Sequence, residues 1–266
     1  MKEVILLDKP VSVTPLQAIE RFKERNTKYQ DKKMSYAGRL DPMAEGLLVC
    51  LVGEENKKQQ EYQKLDKEYE FEVLFGVSTD TYDVMGLLNS LNISQYPDNM
   101  DEQAEKHLKE FRGEIIQQLP PYSSYRIKGK PLFWWAREGR LDEIEIPKKQ
   151  VEVKELNPID SYQMEIGQII EEVVNRVSAV EGEFRQKQII SRWKRLAKEN
   201  AKEKLRIFKF SCSVTSGTYI RSIADKLGEK LGTGAVAFSI LRTRVGEYNL
   251  EDAQTLKKRN RTGGGT

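Results

Sequence analysis

Residues Glu68–Val77 (EYEFEVLFGV) set charged against apolar side chains with a period of two through Val73, the signature of a β-strand. Val4–Leu7 ends in Asp8-Lys9-Pro10 and reads as a strand and turn, and Gly46 leads into Leu47–Val52, a buried strand. Leu205–Val214 alternates again, and Ser239–Tyr248 reads as a closing strand. Helices interrupt these strands at irregular intervals, without βαβ alternation. That order predicts an α+β fold whose central sheet is mixed and largely antiparallel, flanked by helices and loops.

The helices carry their own signals. Thr14 suits an N-cap and Pro15 the first helical position, so a helix is expected from Leu16 to about Arg25. Met34–Pro42, with Gly38 and an Asp-Pro step, reads as an irregular loop, and Asp101–Phe111 as a polar helix. Ile166, Ile170, Val173, Val177, Val180 and Phe184 recur at steps of four and three, the helical period. A second helix follows Gly182, with Ile189, Ile190, Trp193 and Leu196 or Ala197 on one face. Residues 185–204 hold eight Lys/Arg and two Asp/Glu, a net +6. Either this is a helical hairpin with a solvated basic face, or the face meets nucleic-acid phosphates. A further helix is expected over Thr218–Leu231, and the ending KKRNRTGGGT reads as a basic, flexible tail.

Composition narrows the chemistry. The 266 residues carry 44 Lys plus Arg against 41 Asp plus Glu, a net charge of +3. The longest apolar run, Leu47–Val52, falls short of the roughly 18 residues of a membrane helix, and the N-terminal apolar stretch is too short for a signal peptide. A cytoplasmic protein is expected. Cys50 and Cys212 lie in apolar segments, which excludes a disulfide framework. The single histidine, His107, lies among Glu105, Lys106, Lys109 and Glu110, so Cys/His zinc sites and histidine-based triads are not expected. Neither a G-x-x-x-x-G-K-[ST] loop nor a strand-linked G-x-G-x-x-G occurs. The chemistry is left to carboxylate, tyrosine, lysine and arginine, with no cofactor and no metal expected.

The informative segment is Gly38-Arg39-Leu40-Asp41-Pro42-Met43-Ala44-Glu45-Gly46, a carboxylate beside an arginine on a glycine-bounded loop before a buried strand. Alone, this is a common Asp-Pro turn. The segment is similar to the G-R-L-D-x-x-x-x-G signature of pseudouridine synthases, and most of the chain resembles the TruB family, which isomerises uridine 55 in the T arm of tRNA. Five other segments follow the family in order: Leu6–Pro10; Lys67-Glu68-Tyr69 with Gly76–Asp83; Gln117–Ser124 with Gly129 and Ala136–Gly139; Gly217–Ser222 with Asp225, Leu227 and Gly228; and Ile240–Gly246.

The resemblance implies a pseudouridine synthase fold over residues 1–250, with an RNA-gripping thumb insertion at about 115–150 and an extra helical insertion at about 165–204. Residues 251–266 are expected to be a basic flexible tail, and the 20 residues after Gly246 are expected to be too few for the C-terminal RNA-binding (PUA) domain that many family members carry. The resemblance implies a catalytic set of Asp41, Tyr69 and Arg221, with Asp41 as the carboxylate, Arg221 pairing with and orienting it, and Tyr69 stacking on the uracil and helping proton transfer at the sugar. Tyr219 and Ile240 would line the base pocket, and Lys9, Tyr36, Arg39, Asp80, Arg126 and Arg137 would contact the RNA. Residues 120–140 combine five Arg/Lys with Tyr122, Tyr125, Phe133, Trp134 and Trp135, a composition suited to gripping RNA, with one tryptophan expected in the core. Tyr36 stands where family members often carry histidine, Ser12 where glycine is usual, Ser216 where lysine is common, and Leu241 replaces the first arginine of an L-R-R-T. The implied partner is the tRNA T arm, bound by a monomer without guide RNA or protein partner. Ribosomal RNA as substrate and tRNA-folding chaperoning are the alternatives.

Overall fold

The alternating segment lies within a ten-stranded sheet. The structure, a computed structural model, describes residues 2–92 and 99–256. Its strands are β1 (Lys2–Lys9), β2 (Met34–Ala37), β3 (Ala44–Gly53), β4 (Lys67–Phe75), β5 (Val77–Thr79), β6 (Leu88–Leu91) and β7 (Gly113–Gln118), then β8 (Arg126–Ile127), β9 (Lys130–Pro131), β10 (Lys148–Glu165), β11 (Lys204–Val214), β12 (Ala235–Val245), β13 (Tyr248–Asn249) and β14 (Gln254–Thr255). Its helices are α1 (Pro15–Arg25), α2 (Gln59–Lys64), α3 (Met100–Glu110), α4 (Leu132–Arg137), α5 (Ile166–Ser178), α6 (Gln186–Asn200) and α7 (Ile220–Lys230). The main sheet runs β14-β1-β3-β12-β4-β11-β10-β7, with β2 on β3 and β13 on β12. Only the β1–β14 and β3–β12 pairs in it are parallel, so the α+β expectation holds.

Period two explains the layering. Tyr69, Phe71, Val73 and Phe75 of β4 join Phe208 and Phe210 of β11 in one core, closed by Met100 and Leu108 of α3 and Ile223 and Leu227 of α7. Leu74, Ile207, Val236 and Phe238 face the other way, onto Ile170, Val173 and Val177 of α5 and Ile189 and Trp193 of α6. On that second face Glu72 accepts from Tyr162 and Ser239, so its carboxylate is satisfied. Helix α1 starts as the sequence predicts. Thr14 Oγ1 accepts from Gln17 N at 3.3 Å and Gln17 Oε1 accepts from Thr14 N at 2.8 Å, a complete capping box.

Two long connections leave the sheet at cross-strand pairs. Gln118 of β7 opposes Lys148 of β10, so residues 119–147 are an excursion from that hairpin. Glu165 opposes Lys204, so α5 and α6 form the excursion between β10 and β11. His107 pairs with Glu110 on the surface of α3. Among the described residues no helix is long and apolar enough to cross a membrane.

Three expectations need correction. Met34–Ala37 is not loop but strand β2, because its backbone pairs with β3 at Val49–Val52. The final strand β12 begins at Ala235 and ends at Val245. Residues 251–256 are no flexible tail: β14 pairs with Leu7 and Asp8, and Leu256 is buried against α1; residues 257–266 lie outside the described residues. No periodic signal marked β10, an 18-residue polar strand whose Pro158 is accommodated at a bulge. On α6, Leu196 turns inward, and the Ala197 side chain lies outside the described residues.

The site depends on one junction. Strands β2 and β12 share an edge of β3, opposite β1, and the Gly38–Met43 loop connects β2 to β3. Gly46 lies where β3 meets β12, at φ +99°, and a Cβ there would sit 2.4 Å from the Arg242 carbonyl oxygen. The obstacle is backbone, so the strands would have to part. Gly46→Ala is expected to destabilise the fold by about 3 kcal/mol or more. Denaturant unfolding checks this; a loss below about 1 kcal/mol would contradict it.

Candidate active site

A cleft of about 550 Å³ opens over the carboxylate loop, lined by Arg39, Leu40 and Asp41, by Tyr69 of β4, by Ser216–Arg221, and by Ile240 and Arg242 of β12. Ser123 and Ser124 at the root of the 119–147 excursion close another side. Asp41 is the only acidic residue among the described lining residues, against Arg39, Lys64, Lys67, Lys149, Arg221 and Arg242. A cleft this cationic suits a polyanion.

The central contact joins loop to helix. Arg221 Nε lies 2.8 Å from Asp41 Oδ2, with side-chain exposures of 4% and 33%. The guanidinium donates to the Thr81 carbonyl at 2.6 Å and the Tyr122 carbonyl at 3.3 Å, and Asp83 Oδ2 lies 3.7 Å from Nε. Burial works against the Arg221 charge, but Asp41 and Asp83 outweigh it and raise its pKa. Asp83 is itself fixed by Thr81 Oγ1 at 2.6 Å and Met85 N at 2.9 Å; burial pushes its carboxyl up, and Arg221 counters. One cation thus ties the carboxylate loop, the 79–85 turn and the excursion root, leaving a face of Asp41 open.

The aromatic walls follow from strand and loop geometry. Tyr69 points from β4 into the core edge beneath the cleft, where burial pushes its phenol up and Arg242 partly offsets this. Tyr219 is pushed up by burial and then by Asp41. Both phenols therefore keep their protons at neutral pH, and both side chains line the cleft. Arg242, which sequence reasoning passed over, donates to the Leu47 carbonyl at 2.8 Å and the Gly38 carbonyl at 3.1 Å, clamping the loop that carries Asp41. An arginine at an inward position of a strand whose other buried residues are all apolar was the available signal. Lys67 was also missed; burial, with Arg242 beside it, lowers its pKa to about 8.

Two of the departures noted above have physical accounts. Ser12 lies at φ +67°, the left-handed region that favours glycine, and its hydroxyl donates to the Arg176 carbonyl at 2.7 Å. Its amide donates to the Pro42 carbonyl at 2.7 Å, so it braces the Asp41 loop. At Ser216 the cation comes from elsewhere: Lys149 of β10 donates to the Ser216 carbonyl at 2.9 Å and packs on Gly217.

The other candidates separate. Arg39 is on the cleft wall, and Tyr36 on β2 holds its hydroxyl 3.5 Å from the Arg39 guanidinium, beside the cleft but not in it. Arg126 is exposed on the β8–β9 hairpin. Arg137 ends α4, over the rings of Phe133 and Phe184. Trp135 is buried, as expected for one of the pair, while Trp134 stays half-buried, flanked by Lys130 and Arg140. Asp80 lies outside the cleft lining, paired with Arg185 at 2.7 Å and accepting from Leu87 N at 2.8 Å.

Lys9 requires correction as an RNA contact. It is fully buried, and its ammonium donates to the carbonyls of Pro10 at 2.9 Å and Val13 at 2.6 Å, beyond the reach of RNA. Burial lowers its pKa to about 7, with Asp41 and Glu45 pulling it back up. The unfolded chain holds that proton to about pH 10.4. Between those limits the unfolded state binds more protons, so stability rises with pH. Relative to Lys9→Met, the wild type is expected to gain a few kcal/mol as pH rises from 7 to 10. Denaturant unfolding across that range checks this, and a pH-independent difference between the two would contradict it.

The family described as TruB family pseudouridylate synthase (N terminal domain) matches residues 25–183. The tRNA pseudouridine synthase B of Aquifex aeolicus (strain VF5) is 31% identical over 259 residues, covering 97% of this chain and 73% of the relative. That of Burkholderia mallei (strain NCTC 10247) is 33% identical over 255 residues, covering 95% and 67%. Among solved structures, a chain of a Cbf5-Nop10-Gar1 complex superposes with a TM-score of 0.58 at 21% identity, over 95% of this chain and 52% of that one. A chain of an H/ACA RNP bound to a substrate RNA containing 2′-deoxyuridine gives 0.55 at 20% identity, over 95% and 50%. The chain thus spans about half of those solved chains, and at such identities they speak for the fold alone.

Proposed function

The chain belongs to the TruB family of pseudouridylate synthases, and from that premise we propose that it isomerises uridine 55 in the T arm of tRNA to pseudouridine, acting alone, with Asp41 as the catalytic carboxylate. The observation that carries the reading is the Arg221–Asp41 pair, its guanidinium buried and its carboxylate open to a cleft walled by Tyr69, Tyr219 and Ile240. The relatives named tRNA pseudouridine synthase B support tRNA as the RNA class.

The isomerisation breaks the bond from C1′ to N1, turns the uracil and joins C1′ to C5, while the C5 hydrogen passes to solvent and N1, freed from the sugar, takes up a proton in its place. Atoms and electrons balance within the nucleoside. What the protein supplies is an oriented carboxylate at the sugar and a dry seat for the detached base. Asp41 fits the first role, because Arg221 and the Arg242-clamped loop hold it in place. Tyr69 and Ile240 fit the second, giving a ring face and an apolar wall. Extruding the uridine costs roughly a few kcal/mol, to be offset by cationic and aromatic contacts at the cleft and along residues 119–147.

The test is to map pseudouridine after incubating the enzyme with unmodified tRNA transcript and with ribosomal RNA fragments. Carbodiimide-dependent reverse-transcription stops are expected at the T-arm uridine alone. Stops confined to the ribosomal fragments would overturn the substrate assignment.

A further inference from the structure

We propose that the exposed basic face of α6 is a second binding surface for the phosphate backbone of the substrate RNA, contiguous with the excursion beside the cleft. The proposal rests on the tRNA reading above and adds to it a contact made by the helical excursion between β10 and β11.

Three observations carry it. The first is the fixed rotation of the helix: Ile189, Trp193 and Leu196 are buried, and Trp193 Nε1 donates to the Gly86 carbonyl at 3.3 Å. That leaves Lys187, Lys194, Arg195 and Lys198 exposed along a shallow groove lined also by Ile190 and Ser191. None of the four is in an ion pair among the described residues, so the face keeps an uncompensated positive field.

The second observation places the face. Arg185, just before α6, pairs with Asp80 at 2.7 Å, and its guanidinium lies 4.4 Å from the centre of the Tyr122 ring. Tyr122 precedes the cleft-lining Ser123 and Ser124, and its carbonyl holds Arg221. Phe184 lies against Arg137 of α4. The near end of α6 is therefore clasped to the root of the excursion, and at about 1.5 Å per residue the four cations extend over roughly 16 Å from there.

The third is chemistry. Flexible ammonium groups on one face, with aromatic and basic residues of the excursion next to them, match a run of phosphates and carry no base specificity. An acidic protein patch would satisfy the charge, but the adjoining surface already faces a cleft read as an RNA site.

The experiment replaces all four as Lys187→Gln, Lys194→Gln, Arg195→Gln and Lys198→Gln in the full chain. The Kd for unmodified tRNA transcript is then measured at several salt concentrations, beside turnover at saturating RNA. The proposal expects at least about a tenfold rise in Kd near 0.1 M salt, and a log–log salt slope shallower by about two to three. Melting temperature and saturating turnover should stay as in the wild type. A matched control, Lys226→Gln with Lys230→Gln on α7, removes cations already paired with Glu229 and Glu110 and should leave the slope unchanged. Kd and slope within twofold of wild type, or an equal loss in the control, would overturn the proposal. Failure of the tRNA reading is distinguishable: the wild type would bind tRNA and respond to the substitutions without releasing product.

Discussion

Asp41→Asn is expected to lower isomerisation by about 10⁴-fold or more while RNA affinity stays within a factor of a few. The amide keeps the shape of the side chain and still offers an oxygen to Arg221, so the loop should hold its position. What disappears is the negative charge that can attack the sugar or assist departure of the base. Because a third of the Asp41 side chain meets solvent, the stability loss should be about 1 kcal/mol or less. Single-turnover conversion beside filter binding separates the two effects. Turnover within tenfold of wild type would remove Asp41 from the chemistry.

Arg221→Met should have the largest effect on stability, about 3–5 kcal/mol, because it strands a buried carboxylate. Asp83 is buried with Arg221 as its cationic neighbour, and the Thr81 and Tyr122 carbonyls lose their donor as well. Burial already pushes the Asp83 carboxyl up; without the guanidinium nothing of opposite charge counters that push. A carboxyl whose folded pKa lies above its unfolded value costs stability as pH rises through the interval between them. The deficit of Arg221→Met should therefore be larger at pH 8 than at pH 5, and adding Asp83→Asn should recover part of it at pH 8. Urea unfolding at both pH values reads this out, and a deficit that grows on acidification would contradict it. Turnover should fall by two orders of magnitude or more, since Asp41 loses its anchor. Arg221→Lys restores the charge without the fork that reaches two carbonyls, and is expected to recover stability better than rate.

Local chemistry made part of the fold legible. The alternation at Glu68–Val73, the Thr14-Pro15 start of α1 and the four-three spacing of α5 each depend on nearest neighbours, and each appears in place. Strand β10 and the short strands β2 and β14 owe their conformation to partners distant in sequence, and their polar or brief sequences carry no period. The site shows the same division. Asp41, Tyr69, Tyr219, Arg221 and Ile240 belong to motifs and converge on the cleft. Arg242 and Lys149 act through backbone carbonyls that only the folded sheet brings near; Arg242 is marked locally only by its inward position on β12, and nothing in its immediate sequence marks Lys149. Lys9 misleads in the opposite sense: it lies in a motif segment, yet it is buried on backbone carbonyls.

The reaction itself is tested most directly by tritium release from tRNA transcript labelled at uracil C5, using wild-type enzyme. Forming the C1′–C5 bond must expel the hydrogen at that carbon, so release counts turnovers. One equivalent of tritium per tRNA is expected, and none above background from a transcript in which the T-arm uridine is replaced by cytidine. Stoichiometric RNA binding without release from either transcript would contradict the account at its centre.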